Sequence, residues 1–270
     1  MKKTNYGSWM PRNIVVKFMW GTVILGIVFV AFCGNIAFLV KNERNVSVWE
    51  IIITLGVFAL FIKAAILCRR FKFMRKMFDL DWDKSLSVEI INFVANHMML
   101  GSEGGKILDV GCGSGALSIA VAKRNYKSKV IGIDTWGGSY KEFSKEVCEE
   151  NAKVENITNV EFYKDSAVKL GFPDEIFDGL VSNYVYHNIF GDKQQYILES
   201  LRVVKKGGKF AIHDLFTKFH YGDLEAFKKK LDDLGLEHYE FIDTATGEPI
   251  DKEMAKLTML KGSELLVGIR

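Results

Sequence analysis

The sequence predicts an α/β domain, a three-layer α/β/α sandwich on a mostly parallel seven-stranded sheet, preceded by two transmembrane helices. Three observations predict it. Two long apolar runs lie within the first 68 residues, short apolar runs alternate with amphipathic ones from Ser85 onward, and a glycine-rich bend directly follows the first short run. Strand and helix in turn build βαβ units with parallel strands and right-handed crossovers. A content of 49% hydrophobic and 26% charged residues excludes a disordered chain, and 3 Pro and 4 Cys exclude a collagenous or disulfide-stapled design.

The first apolar run, Phe18 to Val40, has 23 residues without a charge. As a helix it covers about 35 Å, against a hydrocarbon core of about 30 Å. The second, Ile51 to Cys68, has 18 residues and carries Lys63 near its end, where the ammonium can snorkel to the headgroups. With only Lys41 to Glu50 between them, the two read as a hairpin that crosses and returns, with residues 14–68 meeting membrane lipid. Lys2, Lys3, Arg12 and Lys17 precede the first run, and Arg69, Arg70, Lys72, Arg75 and Lys76 follow the second. The positive-inside bias puts both ends in the cytoplasm, a two-pass membrane protein with the domain that follows on the cytoplasmic face. A cleaved signal peptide competes poorly, because the run is long and no small-residue cleavage site follows it.

Charge divides the chain the same way. Residues 1–84 hold 13 Lys/Arg against 5 Asp/Glu, and the rest hold 23 against 28. The folded domain is therefore acidic, which argues against a nucleic-acid partner. Residues 1–84 are expected to form the hairpin and a basic juxtamembrane stretch, Arg69 to Lys84, lying along the bilayer. Residues 85–270 form the domain. The cysteines at 33, 68, 112 and 148 show neither metal nor redox spacing.

Within the domain a helix is expected over Ser87 to Met99, then a buried strand over Ile107 to Val110. Further strands are expected at Lys129 to Ile133, Val160 to Tyr163, Gly179 to Ser182, Lys209 to Ile212, Tyr239 to Ile242 and Glu264 to Ile269. Helices are expected at Tyr140 to Asn151, Lys193 to Val204 and Leu224 to Leu234.

The chemistry begins after the first strand, in ILDVGCGSGALSIAVAKR, residues 107–124. Gly111, Gly113 and Gly115 let the backbone turn sharply beside a ligand, and the helix that follows offers unpaired N–H groups. The same loop satisfies a loose dinucleotide fingerprint, with Asp134 standing where a ribose-binding acid would. Asp109 discriminates, because an acid just before the glycines suits a ligand with an ammonium and a sulfonium better than a pyrophosphate.

This stretch and the segments C-terminal to it resemble the class I S-adenosylmethionine-dependent methyltransferases, over roughly residues 85–270. Asp109 with the three glycines matches the first motif. The resemblance implies a Rossmann-like fold and S-adenosyl-L-methionine as cofactor. It implies that Asp134 in VIGIDTW holds the ribose hydroxyls, that Thr135 or Trp136 lies against the adenine, and that Asp165 with Ser166 reads its amino group. FDGLVSNYVYHNI, around Ser182 and Asn183, would hold the methionine end, and LRVVKKGGKFAIHD matches the fifth strand and its glycine turn, with Lys206 where Pro is usual.

Methyl transfer asks the protein to align a nucleophile, exclude water and remove a proton. Ligands of open α/β sheets bind at the carboxyl ends of the strands, which collects Tyr184, Tyr186, His187 and Asn188 after strand four, and His213, Asp214, Phe216, His220 and Tyr221 after strand five. His187 and His213 are the general-base candidates, with Asp214 beside them. The alternative is that these histidines only brace loop backbone. No metal is expected, since the spacing of His187, His213, Asp214 and His220 matches no ligand pattern. The hairpin makes a hydrophobic acceptor, a small molecule or lipid-like, the first expectation. An NAD-dependent oxidoreductase and a non-catalytic donor-binding membrane module are the alternatives.

Overall fold

The structure is a computed structural model that describes residues 3–137 and 142–270. Two compact units divide it, Trp9–Met77 and the combination of Met1–Ser8 with Phe78–Arg270.

The first unit is a helical hairpin of α1 (Arg12–Lys41) and α2 (Val48–Met77). Both helices are long and apolar enough to cross a membrane. They run antiparallel, as the ring pairs show: Phe18 meets Phe71 at 4.3 Å and Phe29 meets Phe58 at 4.8 Å. Gly26 lets the helices approach, since a Cβ there would lie 3.1 Å from the Phe61 ring. Around this seam Trp20, Ile27, Val30, Leu55 and Ile66 are each more than half exposed. The return begins at a capping box, in which Ser47 Oγ accepts from Glu50 N and Glu50 Oε2 accepts from Ser47 N. The second helix does not stop at Cys68. The basic stretch continues it to Met77, because Arg and Lys are good helix formers and favour a helix C-terminus.

The second unit carries β1 (Lys106–Val110), β2 (Lys129–Asp134), β3 (Val160–Lys164), β4 (Phe177–Asn183), β5 (Val204–Leu215), β6 (His238–Asp243) and β7 (Ser263–Ile269). They form one seven-stranded sheet in the order β3-β2-β1-β4-β5-β7-β6. The first five strands are parallel, and β7 runs antiparallel to both β5 and β6. Helices α3 (Leu86–Asn96), α4 (Ala116–Arg124), α5 (Lys145–Val154), α6 (Lys193–Arg202), α7 (Lys218–Tyr221), α8 (Leu224–Asp233) and α9 (Lys252–Thr258) complete it. Ser85, Ser144, Asp192, Asp223 and Asp251 cap the N-termini of α3, α5, α6, α8 and α9. Leu108, Val110, Leu180, Phe210, Ile212, Phe227 and Leu266 form one apolar core without solvent exposure.

Two boundaries differ from expectation in ways that matter. The helix expected from Tyr140 begins at Lys145, where Ser144 caps it; Tyr140 lies outside the described residues. The fifth strand, expected to end at Ile212, runs on to Leu215, because β7 pairs with it from Lys209 to Leu215, His213 opposite Leu265 and Asp214 opposite Glu264. The sequence pattern places His213 and Asp214 on the rim beyond this strand. They lie inside it instead, and both are fully buried.

Candidate active site

Strand order reverses between β1 and β4, so a crevice opens at their carboxyl ends, the general ligand site of such sheets. The glycine bend forms one wall. Gly111, Gly113 and Gly115 all take positive φ, at 75°, 56° and 84°. Gly111 is the tightest: a Cβ there would lie 2.3 Å from Val185 Cγ2. The next helix, α4, opens on Gly115 without a side-chain cap.

Asp109 sits in β1 beneath this bend. Its Oδ2 accepts from Ser118 Oγ at 2.5 Å, while its Oδ1 is buried with no partner. Burial pushes this carboxyl up to about 7. A buried acceptor without a donor is costly, and a cationic ligand group would satisfy it. The residues therefore fit a cofactor that carries an ammonium.

Asp134 at the tip of β2 braces the bend. It accepts from Gly113 N at 3.0 Å and from Trp136 N at 2.7 Å, and Trp136 Nε1 donates to the Gly113 carbonyl at 2.8 Å. Thr135 between them is exposed. The Asp165 carboxylate accepts from Ser166 N and Gly171 N, at 2.8 and 3.0 Å, and Ser166 Oγ accepts from Val168 N. Asp165 N donates to the Asp134 carbonyl, so the tips of β2 and β3 are tied together. All the expected cofactor residues of β1 to β3 thus share one edge of the sheet.

Across the crevice, β4 ends in Asn183, whose Oδ1 lies 2.8 Å from His213 Nδ1. Because that oxygen can only accept, Nδ1 carries the proton, and Nε2 accepts from Thr244 Oγ1 at 2.8 Å or Ser263 Oγ at 3.1 Å. Burial holds His213 down to about 3, so it stays neutral. With both nitrogens engaged inside the sheet, His213 positions Asn183 rather than meeting an acceptor.

His187 is placed differently. Its ring Nδ1 pairs with Asp214 Oδ1, and its backbone N donates to Asp214 Oδ2 at 3.1 Å. The same carboxylate accepts from Tyr221 OH at 2.9 Å and Leu215 N at 2.7 Å. Burial alone would raise Asp214, yet the His187 ring and these donors hold it below the usual carboxylate value. His187 is only partly buried, edge-on to His220 at 5.5 Å and to Tyr184 at 6.0 Å. Tyr184 itself takes φ 55°, uncommon for a residue with a ring. Among the described residues no group of three or more His, Cys, Asp or Glu is arranged to hold a metal ion.

One part of the site has no counterpart among the sequence-based expectations. Residues 5–8 lie against the domain. Asn5 N donates to Asn151 Oδ1 at 2.7 Å, and Asn151 Nδ2 donates onward to the Ser114 carbonyl in the glycine bend at 3.1 Å. Tyr6 OH reaches Glu155, Tyr6 N and Gly7 N reach the Asp81 carboxylate, and Leu80 N donates to the Gly7 carbonyl. Four residues without periodicity, ahead of an apolar helix, leave no signal for such a strap.

A mostly parallel sheet with a glycine bend and acids near the carboxyl ends of three strands, one of them buried with an unpartnered oxygen, defines a cofactor site of the Rossmann-like kind. A family model described as "Methyltransferase domain" matches residues 101–256, more than half of the chain, and the chain belongs to that family. Its fold is that of the class I S-adenosylmethionine-dependent methyltransferases. Over 112 residues, 42% of this chain, it is 33% identical to the uncharacterized methyltransferase YcgJ of Bacillus subtilis, covering 41% of that protein. Over 118 residues, 43% of this chain, it is 32% identical to a demethylmenaquinone methyltransferase of Listeria welshimeri, covering 48% of it. The chain thus spans less than half the length of these relatives. A solved structure of a putative S-adenosyl-L-methionine-dependent methyltransferase from Methanococcus maripaludis shares the fold, with TM-score 0.50 and 20% identity over 70% of this chain and 88% of that one.

Proposed function

We propose that this protein is a membrane-anchored methyltransferase that uses S-adenosyl-L-methionine to methylate a hydrophobic small molecule or lipid-like acceptor. The observation that carries the reading is the pairing of buried Asp214, near the end of β5, with His187 in the turn after β4, two residues from Val185, which packs on the glycine bend. The cofactor supplies an activated methyl on a sulfonium, so little covalent chemistry is left to the protein. Asp109 would take its ammonium, Asp134 its ribose, Trp136 its adenine face, Asp165 and Ser166 the adenine edge, and Asn183 the methionine end.

Asp214 accepts the Nδ1 proton of His187 and so fixes the tautomer in which Nε2 is bare. That nitrogen removes the proton of the acceptor as the new bond to the methyl carbon forms, leaving a methylated acceptor and S-adenosylhomocysteine. His187 is the general base in this scheme, and Asp214 and His213 are positioning residues.

Two features support a hydrophobic acceptor: a pair of helices long and apolar enough to cross a membrane, and the likeness to a relative named as a demethylmenaquinone methyltransferase. The flanking cations favour a cytoplasmic location for both ends of the hairpin and for the domain. The test incubates full-length protein in membranes with methyl-labelled donor and a lipid extract. Label in a lipid-soluble product is expected. Label confined to water-soluble products contradicts the acceptor class, and no S-adenosylhomocysteine with any acceptor pool contradicts the activity.

A further inference from the structure

Three segments meet at the carboxyl edge of the sheet around His187. They are the turn after β4, helix α7 after β5, and the end of α9 leading into β7, whose first residue, Ser263, pairs with Leu215 at the end of β5. Each ends in large apolar side chains turned to solvent: Phe190 is 97% exposed, Phe219 90%, Met259 57% and Leu257 47%. The segments are linked. Phe219 stacks edge-on against His220 at 5.0 Å, His220 meets His187, and a Cβ at Gly262 would lie 2.5 Å from Thr217 Cγ2. The Phe190 carbonyl accepts from Tyr196 OH at 2.9 Å, which anchors the turn that carries the exposed ring.

Two phenylalanines exposed almost completely on one rim gain nothing from water and are not explained by packing. Their charged neighbours in sequence are mostly basic. Residues 190–193, 217–221 and 256–262 contain Lys193, Lys218, Lys256 and Lys261 against one acid, Asp192, whose carboxylate caps α6. Aromatic rings interleaved with lysines are the composition that lies in a bilayer interface, the rings among the acyl chains and the ammonium groups among phosphates. The same chain joins this unit to a helix long and apolar enough to cross a membrane, with only residues 78–85 between that helix and α3.

We infer that the rim formed by Phe190, Phe219, Leu257 and Met259 docks on an anionic phospholipid bilayer, so that the crevice at His187 opens onto the membrane surface. The inference rests on the membrane placement proposed above, and it gives a hydrophobic acceptor a path that avoids water. It does not depend on which acceptor is methylated.

The test uses full-length protein in nanodiscs of phosphatidylcholine and phosphatidylglycerol, with p-benzoylphenylalanine introduced separately at positions 190, 219 and 126. Tyr126 is 77% exposed but precedes β2, at the opposite edge of the sheet. After irradiation, mass spectrometry should find acyl-chain adducts at 190 and 219, several-fold above those at 126, and fewer when phosphatidylglycerol is omitted. Adducts at 190 and 219 no more frequent than at 126, or adducts to a second protein chain instead, overturn the inference. Labelling needs neither donor nor acceptor. Adducts without methyl transfer would leave the docking rim standing and remove the proposed activity; methyl transfer without adducts would do the reverse.

Discussion

Replacing Asp109 by Asn separates what this side chain costs the fold from what it gives the cofactor. In the donor-free protein the carboxyl is raised from 3.8 to about 7 by burial, with Oδ1 unpartnered. Between those values the native protein binds more protons than the unfolded chain, so stability falls as pH rises and the loss is complete above pH 7. At about 1.4 kcal/mol per pH unit the ionised form costs about 4 kcal/mol, of which about 3 kcal/mol develops between pH 5 and pH 8. The amide introduced by Asp109→Asn would keep a partner for Ser118 and has no proton to lose. Thermal unfolding of the parent should therefore fall relative to Asp109→Asn by roughly 6 to 12 °C between pH 5 and pH 8, at roughly 2 to 4 °C per kcal/mol. Donor binding moves the opposite way. An ammonium beside Oδ1 favours the carboxylate, so binding releases a proton and is about tenfold weaker at pH 6 than at pH 8, while Asp109→Asn loses it at every pH. A variant that binds the donor within about threefold of the parent, or a parent whose melting shows no such fall, refutes the reasoning.

Asp214→Asn should lower kcat by about 10² to 10⁴ while the donor Kd stays put, because the His187 tautomer is lost and the cofactor edge is untouched; steady-state rates with calorimetry check this. Asn151→Ala frees the Ser114 carbonyl and the backbone of residue 5, so donor affinity should weaken several-fold and stability fall by about 1 to 3 kcal/mol, read by calorimetry and denaturant melts. For the same reason a truncation removing residues 1–68 should weaken donor binding, whereas a domain complete within residues 85–270 would show no change. Gly111→Ala places a Cβ against Val185 at positive φ and should destabilise by about 2 kcal/mol or more, seen as a lower melting temperature.

All seven strands were legible in place, most plainly where buried parallel strands are written as short apolar runs, as in Ile107 to Val110 and Gly179 to Ser182. The helical hairpin was legible from length and charge alone. What escaped was set by tertiary pairing. The last residues of β5 are His213, Asp214 and Leu215, polar in part, and only their antiparallel partner β7 shows that they belong to a strand. Composition puts His187, His213 and Asp214 in one group of candidates. Their unlike environments come from side chains far apart in sequence: Asp214 and Tyr221 around His187, Thr244 and Ser263 around His213. The acid before the glycines was legible as a motif, but its unpartnered oxygen depends on Ser118 taking the other one. The strap at residues 5–8 follows no pattern that a sequence displays.

Asp109, Asp134 and the glycine bend together would hold one cationic sulfonium nucleoside. Calorimetry of full-length protein with S-adenosyl-L-methionine and with NAD, in buffers of different ionisation enthalpy at pH 7, tests it most directly. Saturable heat with S-adenosyl-L-methionine alone, accompanied by proton release that disappears in Asp109→Asn, is the expected result. Heat with NAD and none with S-adenosyl-L-methionine would contradict it.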